Sequence, residues 1–166
     1  MPQRRLPVLV PARRRETARG ARVIARLRKL CLAFPDAVEK VSHGEPTWFA
    51  GDKGKVFAML DDHHHGAAHL SAWVPLPLGA QDALVARDPE RYFRPPYVGG
   101  KGWVGIVLDT GADWADVARL LRDAYLRVAP TRLAAMVATD APTRPRRASG
   151  AAVYRTTTPR RRPARS

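Results

Sequence analysis

Residues 38–73 read VEKVSHGEPTWFAGDKGKVFAMLDDHHHGAAHLSAW. Four short runs stand out: Val38–Ser42, Thr47–Ala50, Lys55–Leu60 and His69–Trp73. Each is rich in β-branched, aromatic or other apolar residues, the composition of a strand. Turn formers separate them: His43-Gly44-Glu45-Pro46, then Gly51-Asp52-Lys53-Gly54, then the stretch from Asp61 through Gly66. Short strands at such spacing predict an antiparallel meander.

Helical patterns lie on both sides of this stretch. Upstream, from about Ala18, Val23, Leu27, Leu30 and Phe34 recur at helical spacing, with Ile24 and Cys31 beside them. Arg22, Arg26 and Lys29 fall on a neighbouring face, so the segment is amphipathic. Phe34-Pro35-Asp36 stops it. Downstream, Gln81–Arg87 forms a short helix ended by Asp88-Pro89, and Glu90–Phe93 reads as a single turn. Arg94-Pro95-Pro96-Tyr97 is extended, because proline restricts the residue before it. Gly102–Leu108 is a further strand. Asp113 then caps a helix whose apolar face is Trp114, Val117, Leu121, Ala124, Tyr125 and Val128. Pro130 ends it, and Thr131–Ala138 adds a last turn or two. A helix at each end of a meander predicts an α+β two-layer sandwich, with both helices on one face of an antiparallel sheet.

The 166 residues hold 29 Lys+Arg against 15 Asp+Glu, a net charge of +14. That excess sits at the ends. Residues 1–22 carry +6, residues 139–166 carry +7, and residues 23–138 carry +1. The expected organisation is a disordered basic arm at 1–17, one folded domain at 18–138 and a disordered Pro/Arg-rich tail at 139–166. No window approaches the roughly 18 apolar residues of a membrane span. Val8-Leu9-Val10 is too short for the apolar core of a signal peptide. Cys31 is the single cysteine, which excludes an internal disulfide framework and suits a reducing compartment. The expected location is the cytoplasm.

Candidate chemistry is sparse. Asp61, Asp62, His63, His64, His65 and His69 are residue types that ligate divalent ions. They lack defined ligand spacing and read as a solvated hairpin loop, so neither a metal nor another cofactor is expected. Cys31 lies on the apolar side of its helix, as an inert buried thiol does. Ser42-His43 and Glu45 do not make a triad, and no catalytic residue is assigned. Gly99, Gly100 and Gly102 form a bend whose backbone N–H groups are of the kind that cradle an anion or small ligand, although the P-loop pattern fails there. Around that bend, cations and aromatics interleave. Arg91, Arg94 and Lys101 suit phosphates, and Tyr97 suits stacking on a base. Arg160, Arg161 and Arg162 of the tail add non-specific phosphate contacts.

Pro95-Pro96-Tyr97-Val98-Gly99-Gly100-Lys101-Gly102-Trp103-Val104-Gly105-Ile106 resembles the signature segment of the MmcQ/YjbR family. His43-Gly44-Glu45-Pro46-Thr47-Trp48-Phe49 and the helix from Leu120 to Pro130 are similar to it too. The resemblance runs from about Val23 to Ala138. It implies a frataxin-like (CyaY-like) α+β fold and DNA binding, and it brings no catalytic residues. Frataxins are associated with iron through an acidic first helix. Here that helix carries Arg19, Arg22, Arg26, Arg28 and Lys29, which argues against iron. The expected function is therefore non-enzymatic DNA binding, with the basic tails adding non-specific affinity. The alternative is a small-ligand or protein-interaction module built on the Gly99–Gly102 bend.

Overall fold

The computed structural model describes residues 18–63 and 68–139. The expected basic arm at 1–17, His64, His65 and all but the first residue of the 139–166 tail lie outside the described residues.

Helix α1 (Ala18–Leu32) leads into strands β1 (Ala37–Ser42), β2 (Glu45–Ala50), β3 (Val56–Asp62) and β4 (Leu70–Pro75). Helix α2 (Ala80–Arg87), strand β5 (Tyr92–Phe93), a single 3-10 turn at Gly99–Lys101 and strand β6 (Trp103–Val107) follow. Helices α3 (Trp114–Val128) and α4 (Thr131–Thr139) complete the described chain. The six strands form one antiparallel sheet in the order β1-β2-β3-β4-β6-β5. From β4 the chain crosses through α2 to the sheet edge at β5, then returns inward as β6.

Helix α1 lies on β1, and α3 lies on β3 and β4 beside α1. This is the expected α+β sandwich. Its core joins Ile24, Leu27 and Cys31 of α1 and Leu120, Leu121, Ala124 and Tyr125 of α3 to the sheet residues Trp48, Leu60, Ala72, Val74 and Ile106. The rings of Phe34 and Tyr125 stack with centroids 4.7 Å apart, and Phe57 meets Tyr125 edge-on at 5.2 Å. Tyr125 also donates to the Pro35 carbonyl at 2.6 Å, so one side chain ties α3 to the exit of α1. Beneath α1, Glu39 accepts from Arg28 at 2.8 Å and from the Trp48 indole at 3.0 Å.

Alternation turns the odd-numbered positions of β4 to the opposite face, where Ser71 and Trp73 are buried and the Trp73 indole donates to Ser71 Oγ at 3.0 Å. Across from Trp73, Gly105 has the Phe93 ring packed directly on it.

Four local expectations are corrected. Tyr92-Phe93 is an edge strand paired with Ile106 and Gly105, not part of a turn. Its two residues are too short for a periodic signal. Glu45 and Pro46 already belong to β2, because Ser42 pairs with Glu45 and leaves His43-Gly44 as the turn. Both turn residues have positive φ, 53° and 83°. Asp61 and Asp62 belong to β3, paired with Ser71 and Leu70. Residues 131–139 form a separate helix, α4, which buries Leu133 and Val137.

Candidate nucleic-acid interface

Helix α1 reads ARGARVIARLRKLCL and contains no acidic residue. Ile24, Leu27 and Cys31 take its buried side. The helical period therefore carries Arg19, Arg22, Arg26 and Lys29 to the outer side, where all four are exposed. Successive cations stand three or four residues apart, and the row is about 15 Å long at about 1.5 Å per residue. Among the described residues no carboxylate pairs with any of the four. Arg26 packs its guanidinium over the Trp114 ring at 4.7 Å.

Elsewhere the charges are mostly neutralised within the fold. Arg28 pairs with Glu39, Lys40 with Asp52, Arg87 with Asp116, and Arg132 with Asp36. Arg119 bridges Asp116 and Asp123. A near-neutral domain thus presents one strongly positive helix face.

The bend around Gly99–Gly102 is tightly built. Gln81 of α2 donates through Nε2 to the Gly99 carbonyl at 2.7 Å and the Trp103 carbonyl at 2.6 Å. Its Oε1 accepts from Arg94 Nε at 3.1 Å, and Arg94 Nη2 pairs with Asp82 at 2.6 Å. Arg94, Pro95, Gly99, Gly100 and Gly102 line an open cleft of about 380 Å³ with Pro77, Leu78 and Asp82. Leu78 is fully exposed. Val98 N donates to the Pro96 carbonyl at 2.7 Å, a γ-turn centred on Tyr97, whose φ is 64°. That conformation is an outlier for a bulky residue and costs about 1–3 kcal/mol. Tyr97 is nevertheless 82% exposed.

Of the sequence-predicted contacts, Arg94, Gly99, Gly100 and Gly102 therefore surround one cleft, with Tyr97 and Lys101 on the loop that walls it. Lys101 is exposed, and no carboxylate pairs with it among the described residues. Arg91 is elsewhere. It lies 3.5 Å from Asp88 and lines a different depression with His69 and Glu90. Arg160, Arg161 and Arg162 lie outside the described residues.

The glycines divide as well. Gly102 needs its φ of 82°, and a Cβ on Gly99 would meet Arg94 Cβ at 3.2 Å. Gly100 faces open space and has no positive φ, so the structural demand of the bend falls on Gly99 and Gly102.

The acidic and histidine residues disperse. His63 lies 3.6 Å from Asp62, and His69 Nδ1 lies 3.2 Å from Asp109. Among the described residues, no three His, Cys, Asp or Glu converge as a metal site would require. Burial, with Glu39 nearby, pushes the Cys31 thiol well up, which keeps it protonated and unreactive. No helix among the described residues is long and apolar enough to cross a membrane.

The α1 row was visible in sequence as a run of cations without acids. What sequence did not show is that, among the described residues, no carboxylate pairs with these cations while most others are paired. Leu78 carried no signal at all, since a leucine between Pro77 and Gly79 reads equally as buried.

A family model described as YjbR matches residues 32–127. The structure is similar to the crystal structure of the Deinococcus radiodurans protein DR2400, described with the family-model domain DUF419. The TM-score is 0.53 at 19% identity, over 63% of this chain and 76% of that one. No curated protein matches the chain.

Proposed function

The chain belongs to the YjbR family, and from that premise we propose that it binds nucleic acid through the phosphate backbone, with the outer face of α1 as the contact surface. The observation that carries this reading is the row Arg19, Arg22, Arg26 and Lys29, exposed on a helix without an acidic residue. Unpaired cations in a row attract a polyanion and release its counterions, whatever the base sequence. At about 3.4 Å per phosphate along one strand, a row of about 15 Å faces about four phosphates. The helix has no Asn, Gln, Ser or Thr. Contacts from a row of this kind go mainly to phosphates and are positional. Residues 1–17, at +4, and residues 139–166, at +7, act in the same direction.

The test is a gel shift or anisotropy titration of the full-length protein with Arg19→Glu, Arg22→Glu and Lys29→Glu combined. Arg26 is left in place because it packs on Trp114. Affinity for duplex DNA should fall by more than an order of magnitude with an unchanged melting temperature. An unchanged affinity in this variant removes α1 as the contact surface. A wild-type protein that binds neither DNA nor RNA at physiological salt removes the function.

A further inference from the structure

Tyr97 is held in a γ-turn with φ 64°, yet it stays 82% exposed and buries little in return. Backbone strain of this kind clusters at ligand-binding sites. The loop around it is rigid. Gly99 N donates to the Pro95 carbonyl at 2.9 Å, Lys101 N to the Val98 carbonyl at 2.9 Å, and Gln81 staples the bend from α2. A ring displayed from a rigid loop loses little entropy when something stacks on it. Beside it, the cleft is lined mainly by carbon. Pro77, Leu78 and Pro95 contribute side chains, while Gly100 and Gly102 contribute bare backbone with open space where a Cβ would stand. Lys101 supplies a cation on the same loop.

Resting on the nucleic-acid reading above, we propose that Tyr97 is a stacking platform for an unpaired nucleobase, with Lys101 on the phosphate of that strand. Every base has an apolar π-face that an exposed ring accepts, so the contact is tolerant of sequence. The glycine floor lets a planar ring lie close to the backbone. A paired base in a duplex has both faces covered by its neighbours, so this site selects single strands, loops or ends. A protein partner is the less favoured occupant, because the cation on the Tyr97 loop, Lys101, suits a phosphate. The α1 row handles charge without regard to strandedness, and Tyr97 adds the preference for unpaired bases.

The experiment uses the full-length protein and three fluorescently labelled probes of equal length: oligothymidylate, a duplex, and an abasic single strand. Tyr97→Ala should weaken oligothymidylate binding about ten-fold, and leave duplex affinity and its salt dependence unchanged. Tyr97→Phe should bind like wild type. Wild type should bind the abasic strand as weakly as Tyr97→Ala binds oligothymidylate. Equal wild-type affinity for abasic and thymidine strands overturns the proposal. So does an unchanged affinity in Tyr97→Ala. In either of those cases, continued loss of binding in the Arg19→Glu, Arg22→Glu, Lys29→Glu protein leaves the phosphate reading standing and reassigns the Tyr97 surface to a protein partner. Absence of binding to all three probes overturns both readings together.

Discussion

Single residues carry several of the constraints. A Cβ at Gly54 would lie 1.9 Å from the Ala50 carbonyl oxygen, inside a β2–β3 turn closed by Gly54 N donating to the Gly51 carbonyl at 3.0 Å. Backbone cannot retreat as a flexible side chain does. Gly54→Ala should therefore destabilise by at least about 2 kcal/mol, with Gly102→Ala losing about 1 kcal/mol and Gly100→Ala little. Urea midpoints of the three variants check this ranking. Glu39 is a second such point, since the Trp48 indole beneath α1 is wholly buried and donates to it. Glu39→Ala leaves that N–H without its acceptor and should cost about 1–3 kcal/mol. A Glu39→Gln protein, which keeps an acceptor, should recover part of the loss in the same measurement.

Between elements, one polar network joins α2, β5 and α3. Tyr92 donates to Asp116, Arg87 reaches both at 3.1 and 3.2 Å, and Arg119 Nε donates to Asp116 at 3.1 Å. Burial alone raises the Asp116 pKa. Hydrogen bonds from Tyr92 and Arg119, with the charges of Arg119 and Arg87, more than reverse this and hold it below the ordinary carboxylate value. A carboxylate depressed in the folded state stabilises above its unfolded pKa, about 3.9, and that contribution is lost as pH falls through the lower folded value. Asp116→Asn should thus be less stable than wild type at neutral pH, with the difference shrinking as pH drops below about 4. Tyr92 has the opposite sign. Burial first, then Asp116, raises its pKa, so its contribution holds below about pH 10 and is lost as pH rises through the folded value. Thermal melts across acid and alkaline pH separate the two limbs.

For the whole molecule, the decisive property is which charges the fold leaves unpaired. Each phosphate contact contributes about −0.9 to the slope of log affinity against log salt on B-DNA. Arg19→Gln, Arg22→Gln and Lys29→Gln together should make the slope shallower by about 2.7. Arg91→Gln removes the same kind of charge, but one already beside Asp88 at 3.5 Å, and should change the slope little. A change of about 0.9 in the Arg91→Gln protein would mean that local ion pairing does not decide which cations meet the polyanion.

The two-layer architecture was legible in the chain because it rests on local physics. Short apolar runs broken by His43–Pro46, Gly51–Gly54 and Asp61–Gly66 predict a meander, and the spacing of Val23, Leu27, Leu30 and Phe34, with Ile24 and Cys31 beside them, predicts a helix with one buried side. The capping of α3 by Asp113, whose side chain accepts from Ala115 N and Asp116 N, was equally readable. Strand β5 was not, because two residues hold no periodicity and Tyr92-Phe93 becomes a strand only through β6 beside it. The same holds for the site. Sequence alone located the cations, the glycine bend and Tyr97. Tertiary structure decided that Arg94 closes on Asp82 and Gln81, that Arg91 lies in another depression, and that the α1 row meets no carboxylate among the described residues. Whether a charge is available depends on which carboxylate folding brings within about 4 Å of it, and residues such as Asp82 and Arg94, 12 positions apart, meet only when α2 and the loop after β5 are packed together.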